Sequence, residues 1–360
     1  MANIFVTGAT GFLGWNIVKE LLKDEGNHLF LLARGDKNKT AQQRIDRLLT
    51  QSYSVKTRQK LQPRVTVIPG DITEINLGIP AVRRKQLAQT IDTIFHGAAL
   101  CEFGVPLAPC RKVNVDGTKN VLDFALVCTK LRGFSHVSSV AVAGKSGGIF
   151  YEDDLDKQQA FSNAYEQSKF EAEQLIVAYR KKGLVVNIFR PSIVTGDSQS
   201  GEVSNFQMLY QPLHIFSLEI FAHIPADKNI GYDLVPVDCV AKAICQIVAK
   251  GQGNKTYHLT NPNTITLDAL MTFASSFFGF KKPGLIPENK FNYQTLTGFR
   301  EKVIAPYLPY FNHKSLTFDA TNFNEAVKGS NFTWPKPDEK LLTTLFKYCD
   351  KVGFIKRKRK

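Results

Sequence analysis

The sequence predicts an α/β protein built on a doubly wound parallel sheet, with a smaller, mostly helical C-terminal region. Three observations carry this. The run Thr7-Gly8-Ala9-Thr10-Gly11-Phe12-Leu13-Gly14 stands between the apolar Ile4-Phe5-Val6 and an amphipathic stretch, Trp15 to Leu22, which is the order strand, glycine turn, helix. Short and nearly continuous apolar runs then alternate with helical stretches, as parallel strands buried on both faces require. After about residue 200 that alternation gives way to a different pattern.

In chain order the predicted strands are Ile4-Phe5-Val6, Leu29-Phe30-Leu31-Leu32, Val65-Thr66-Val67-Ile68, Thr93-Ile94-Phe95-His96, Phe134-Ser135-His136-Val137 and Val185-Val186-Asn187-Ile188-Phe189. The segments between them are long enough for crossover helices. A helical stretch rich in Arg, Gln and Lys, roughly 40–60, separates the second strand from the third. Phe206 to Phe221 is aromatic and apolar, and residues 230–262 return to core-like material. There Tyr232 to Val237 is extended, Val240 to Val248 helical, and Tyr257-His258-Leu259 a late added strand. Residues 263–350 read as a mostly helical cap.

Glycines at the spacing of the first turn let the backbone approach a pyrophosphate, and the following helix offers free N–H groups and a positive dipole end to it. The expected organisation is a nucleotide-binding core of residues 1–200 and 229–262. A substrate-binding cap of 201–228 and 263–350 and a basic tail of 351–360 complete it.

The chain has 360 residues, 43% of them hydrophobic, and a formal net charge of +14. No apolar run is long enough to span a bilayer, and the immediate entry into a strand leaves no room for a signal peptide. The cysteines at 101, 110, 128, 239, 245 and 349 show no metal-ligand spacing. They read as free thiols in a reducing compartment, which places the protein in the cytoplasm with no metal site. The tail Phe354-Ile355-Lys356-Arg357-Lys358-Arg359-Lys360 reads as a solvated, frayed terminus. No nucleic-acid module accompanies the charge, so no specific nucleic acid is expected. The phosphates of a nucleotide cofactor, of coenzyme A or of a carrier protein account for the basicity equally well, and a peripheral membrane contact stays open.

The second strand ends Leu32-Ala33-Arg34 with no acid to hold ribose hydroxyls. Arg34 there suits a 2′-phosphate, which favours NADPH over NADH, with Arg44 or Lys37 assisting. Arg34-Gly35-Asp36 also spells an adhesion tripeptide, which in this place would lie over the cofactor. Asp71 in Gly70-Asp71-Ile72 is placed to bond an adenine amino group or to cap a turn. In His96-Gly97-Ala98-Ala99 the small residues allow close approach to the cofactor, and His96 reads as a structural histidine. Tyr165 and Lys169 in Tyr165-Glu166-Gln167-Ser168-Lys169 share one face of a predicted helix. A phenol titrates near 10, and a neighbouring ammonium favours the phenolate, so the tyrosine can exchange a proton with a carbonyl oxygen. Ser138-Ser139 closes the fifth strand, where a hydroxyl can hold that same oxygen.

This ordered set, from the glycine turn through Ser139, Tyr165 and Lys169, resembles the extended short-chain dehydrogenase/reductases, which carry a Rossmann sheet. Gly70-Asp71-Ile72, Phe95 to Ala99, Val113 to Thr118 and Phe189 to Ser198 resemble the fatty acyl-CoA reductase and thioester reductase branch, the male-sterility type. The resemblance covers roughly residues 4–262. It implies that Thr7, Gly8, Thr10, Gly11, Phe12, Leu13 and Gly14 form the pyrophosphate turn and that Arg34 and Arg44 face the 2′-phosphate. Asp71 and Ile72 would border the adenine, and Ala98 and Ala99 the ribose. Asn114 would support the catalytic helix, and Lys169 would bond the nicotinamide ribose. Pro191, Ser192 and Val194 would contact the nicotinamide. In this family the active Ser or Thr lies five residues before a glycine, so Gly144 points to Ser139 rather than Ser138.

The resemblance implies NADPH-dependent reduction of an acyl thioester, on coenzyme A or on a carrier protein supplied in trans, to an aldehyde or alcohol. It also implies a homodimer. Phe206, Met208, Leu209, Tyr210, Ile215, Phe216 and Phe221 either shape an acyl tunnel or pack as plain core. A ketone, aldehyde or nucleotide-sugar enzyme is the alternative, although Arg34 argues against the sugar enzymes. A non-catalytic NADP-binding protein is disfavoured by the presence of both Tyr165 and Lys169.

Overall fold

A computed structural model describes residues 2–251, 253–312 and 316–358. Its main sheet holds β1 (Ala2–Thr7), β2 (Asn27–Ala33), β3 (Val65–Pro69), β4 (Thr93–His96), β5 (Gly133–Val137), β6 (Val186–Pro191) and β7 (Thr256–Leu259). Each of the expected apolar runs lies in one of these strands, except that Val185 precedes β6 by one residue. The spatial order is β3-β2-β1-β4-β5-β6-β7, and every pairing is parallel. In register, Val6 of β1 stands between Leu31 of β2 and Phe95 of β4. The chain runs outward through β2 and β3, then returns to β4 on the other side of β1. That reversal opens a crevice at the carboxyl ends of β1 and β4, where open α/β sheets bind ligands.

The main helices are α1 (Phe12–Leu21), α2 (Ala41–Ser52), α3 (Gly117–Val127), α4 (Ala164–Arg180), α5 (Tyr210–Ser217), α6 (Val237–Ala249), α7 (Leu267–Phe278) and α8 (Glu339–Lys351), of which α1 to α4 and α6 cover the two faces of the sheet. Local chemistry sets several starts. Thr40 and Gln43 form a reciprocal capping box at α2, and Asn163 caps α4 by accepting the Glu166 N–H, each satisfying donors the helix leaves free. One buried cluster joins α1 and α6 to one face of the sheet, and a second, with Phe5, Ile94, Val121 and Ile176, covers the other.

A third cluster runs from Val203 to Ile355 and includes α5, α7 and α8. Short parallel strand pairs tie this region down. His223–Pro225 pairs with Gly284–Ile286, and Gly148–Phe150 pairs with Leu316–Phe318. Among the described residues no helix is long and apolar enough to cross a membrane.

The tail departs from the solvated terminus expected of it. Phe354 stacks on Phe206 with centroids 4.0 Å apart, and Ile355 is buried. Arg357 lies over the Phe277 ring, the Lys358 N–H bonds the Phe278 carbonyl at 2.8 Å, and the Lys358 ammonium pairs with Glu219. The two apolar residues at the head of the basic run anchor it, because burying them outweighs the freedom of a short terminus. Arg359 and Lys360 lie outside the described residues.

Candidate active site

The glycine turn fits into the crevice because side chains are missing from it. Gly8 has φ +76°, and a Cβ there would come within 2.5 Å of Gly97 and Ala98 backbone atoms. A Cβ on Gly14 would meet the Gly8 carbonyl oxygen at 2.1 Å. The turn therefore packs backbone on backbone at the mouth of β1 and β4, leaving the start of α1 open to a phosphate group. Thr7 faces inward, with its hydroxyl 2.7 Å from His96 Nδ1. Phe12 packs toward the third cluster, and Leu13 toward the cluster under α1.

Polar groups for an adenosine half gather beyond β2. The exposed Arg34 guanidinium stands 3.5 Å from the Asp71 carboxylate. Arg44 donates to the Arg34 carbonyl at 2.8 Å and to the Thr10 hydroxyl at 3.2 Å. Asp71 accepts the Thr73 N–H at 2.9 Å, and Ile72 is buried beside Gly117. The Thr73 bonds and the Arg34 charge hold the Asp71 carboxyl below the usual carboxylate range, although partial burial opposes them. Two guanidinium groups at the rim of a glycine cradle fit a dinucleotide that carries an extra phosphate.

The reacting end is built from β4, β5 and α4. Tyr165 and Lys169 stand one turn apart on α4. Ser139 and Cys101 stand beside the Tyr165 hydroxyl, near enough to influence its titration. Ser138 is turned away: its buried hydroxyl donates to Glu173. Of the two serines, Ser139 is thus the one that faces the phenol. Lys169 is buried and donates to the Val137 carbonyl at 2.8 Å, with His136 Nε2 at 3.3 Å. Burial lowers the Lys169 ammonium, and it pushes the Tyr165 phenol well above its usual range, against the opposing influence of the neighbouring Ser139. The expectation of a phenol lowered by its lysine is therefore not met in the free chain. The Lys169 amine faces the β5 carbonyl and His136, so the phenol feels burial more than charge.

The supporting residues fall into place around these. Asn114 lies in a π-helical turn, Lys112–Asp116, a local irregularity frequent at functional sites. Its amide accepts the Leu100 N–H at 2.7 Å and donates to the Leu100 carbonyl at 3.0 Å and the Ser168 hydroxyl at 2.9 Å. It thereby joins the Ala98-Ala99 loop to α4. His96 is fully buried, and both ring nitrogens are partnered, with the Thr7 and Thr118 hydroxyls, as a structural histidine should be. Pro191 and Val194 flank Ser192, whose hydroxyl donates to the Asp233 carbonyl at 3.1 Å.

Of the aromatic segment, Met208, Leu209 and Phe216 line a small apolar cavity. Phe206 and Tyr210 do other work, since the Tyr210 hydroxyl accepts the Gly196 N–H at 2.7 Å. Sequence reasoning missed Cys101, Phe103, Tyr307 and Tyr310. Phe103 meets Tyr165 edge-on at 5.9 Å and Tyr310 at 5.4 Å. The position of Phe103 just after the Gly97-Ala98-Ala99 loop was the available signal for it. Tyr307 and Tyr310 carry none.

Known proteins resemble this chain in sequence and in fold. Residues 6–244 match the male sterility protein family of NAD-binding domains. The chain is 31% identical over 283 residues to aldehyde reductase lnbA of Aspergillus flavus, covering 74% of this chain and 28% of that protein. It is 28% identical over 276 residues to fatty acyl-CoA reductase wat of Drosophila melanogaster, covering 67% of this chain and 53% of that protein. The chain thus spans about half or less of the length of these relatives. In fold it is similar to the terminal R domain from the myxalamid PKS-NRPS biosynthetic pathway, at a TM-score of 0.84 and 26% identity, over 100% of this chain and 93% of that one.

Proposed function

We propose that this chain, which belongs to the male sterility protein family and is an oxidoreductase of the extended short-chain dehydrogenase/reductase type, reduces an acyl thioester with NADPH to an aldehyde or alcohol. The observation that carries this reading is Tyr165, with Ser139 beside its hydroxyl and Lys169 one helical turn further on, next to a glycine-lined crevice. The names of the fatty acyl-CoA reductase and R-domain relatives support the thioester. Arg34 and Arg44 beside Thr10 support NADPH over NADH.

Bound NADPH supplies the hydride. Ser139 and Tyr165 hold the carbonyl oxygen as negative charge develops on it, which is worth most in a site that excludes water. Tyr165 provides the proton, and Lys169 steadies the charge left on the phenol. The tetrahedral adduct expels the thiol of coenzyme A or of a carrier protein, giving the aldehyde. A second hydride and proton give the alcohol. Direct reduction of an aldehyde is the second reading, favoured by the name of the fungal relative.

The test is NADPH consumption against acyl-CoA, aldehyde and ketone panels, with products identified by mass. Acyl-CoA turnover with release of free thiol is expected. Tyr165→Phe is expected to lower it by about 10²–10⁴-fold. Turnover of aldehydes alone removes the thioester reading, and full activity in Tyr165→Phe removes the assigned role of the phenol.

A further inference from the structure

A short stretch of the third cluster reaches across to the catalytic helix. Tyr310, in the turn Leu308–Phe311, donates its hydroxyl proton to Glu166 Oε1 at 2.6 Å and accepts from Asn163 Nδ2 at 2.7 Å. Asn163 is the N-cap of α4, and Glu166 directly follows Tyr165. Glu166 is 1% exposed, and its other oxygen accepts the Ser162 N–H at 2.7 Å. The Tyr310 carbonyl in turn accepts the Tyr232 hydroxyl at 3.1 Å. A buried carboxylate held this way binds its neutral donors strongly, because losing one leaves a charge without solvation.

Tyr310 has two sides. Toward the reacting centre it meets Phe103, which meets Tyr165. On the other side it lines the apolar cavity with Leu213, Phe216, Leu270 and Met271. That cavity has a volume of about 20 Å³, room for about one water. Met208, on the same lining, has φ +39°, a left-handed backbone that a non-glycine residue adopts only when its surroundings impose it. The cavity is thus apolar, and one of its lining rings is hydrogen-bonded to α4 beside Tyr165.

We propose that Tyr310 is a specificity-determining residue: bonded to Glu166, it walls the apolar cavity off from the reacting centre and holds the enzyme to short acyl groups. An acyl group a few methylenes longer finds room there only when that bond opens and the ring turns aside, because the cavity itself holds no more than about one water. This rests on the acyl-thioester reading of the site.

The experiment compares kcat/KM for butyryl-CoA and hexanoyl-CoA in the wild type, Tyr310→Phe and Tyr310→Ala, each checked for an unchanged far-UV spectrum. Tyr310→Ala, which removes the wall, is expected to raise the hexanoyl-to-butyryl ratio by about tenfold or more. Tyr310→Phe keeps the ring, loses the latch, and is expected to raise the ratio less, mainly through KM. An unchanged ratio in both folded variants overturns the proposal. Binding of hexanol, measured by calorimetry without NADPH, reads the wall independently of turnover. Tighter probe binding by Tyr310→Ala supports the wall even if no thioester is reduced, a result that would count against the activity instead. Equal probe binding by all three proteins overturns the wall.

Discussion

Glu173 and Arg190 form an ion pair at 2.7 Å that is almost wholly shielded from water, one turn of α4 beyond Lys169. Glu173 also accepts the Ser138 hydroxyl, and Arg190 donates to the Glu152 and Asp154 carbonyls at 3.3 and 2.8 Å. The pair therefore fastens the end of β5, the end of β6 and the 152–154 loop to the catalytic helix. Ser139 owes its place to this fastening, since its neighbour Ser138 is bonded into it.

Removing one partner leaves the other charged and buried. Arg190→Met is expected to lower unfolding free energy by about 3–5 kcal/mol, read from urea denaturation. Replacing both partners with apolar residues of similar volume is expected to recover much of that loss. A double variant no more stable than Arg190→Met would show that the Ser138 and carbonyl bonds matter more than the ion pair.

The exposed Arg34 side chain stands 3.5 Å from Asp71 and is otherwise turned to solvent among the described residues, so its removal disturbs little of the fold. Arg34→Ala is expected to raise the KM for NADPH by roughly 10–100-fold, the loss of a charge-assisted contact, while leaving NADH nearly unchanged. Steady-state kinetics with both cofactors decide it. An equal change for both would place the arginine away from the 2′-phosphate.

Burial, with Lys169 nearby, pushes His96 down to about 3, and burial with Arg190 nearby pushes His258 down to about 4. Both are neutral in the folded protein and accept protons first in the unfolded chain. Their contribution is present above pH 6.5 and is lost as pH falls toward 4 and 3, at about 1.4 kcal/mol per pH unit each. Glu152 and Asp233, raised to about 7 by burial, act in the opposite sense and weaken the fold as pH rises from their unfolded values to 7. His96→Asn is expected to make the change in urea midpoint from pH 5 to 6.5 less positive than in the wild type, whatever the sign set by Glu152 and Asp233. An identical slope would mean that His96 is already charged when folded.

Ile355→Ala is expected to cost about 2–5 kcal/mol, the usual range for a buried aliphatic side chain. A tail lying free in solvent would change stability by no more than about 0.5 kcal/mol. Thermal melts of the two proteins separate these outcomes.

The sheet was legible because each strand carries its own signal. Ile4-Phe5-Val6 and Thr93-Ile94-Phe95 need no distant residue to declare themselves buried, and the glycine turn marks the crevice by its spacing. The short strands Gly148–Phe150 and Leu316–Phe318 carry no such mark, since each exists only because the other lies beside it. Charge hid the docking of the tail, because Lys356 to Lys360 dominate the composition while Phe354 and Ile355 supply the contact. The Tyr310–Glu166 bond joins residues far apart in sequence, and neither residue type is unusual on its own. The upward push on the Tyr165 phenol likewise depends on what surrounds it, which the spacing of Tyr165 and Lys169 does not contain.

The cluster that encloses the cavity begins at Val203 and ends at Ile355, with α6 and β7 between its parts. Such walls cannot be lifted from one protein and inserted in another as a single cassette. An exchange needs junctions on both sides of the α6–β7 segment and must carry the final residues along, or the donor walls arrive without their anchor. Redesign of this chain toward other acyl groups therefore belongs to single positions around the cavity rather than to the swapping of modules.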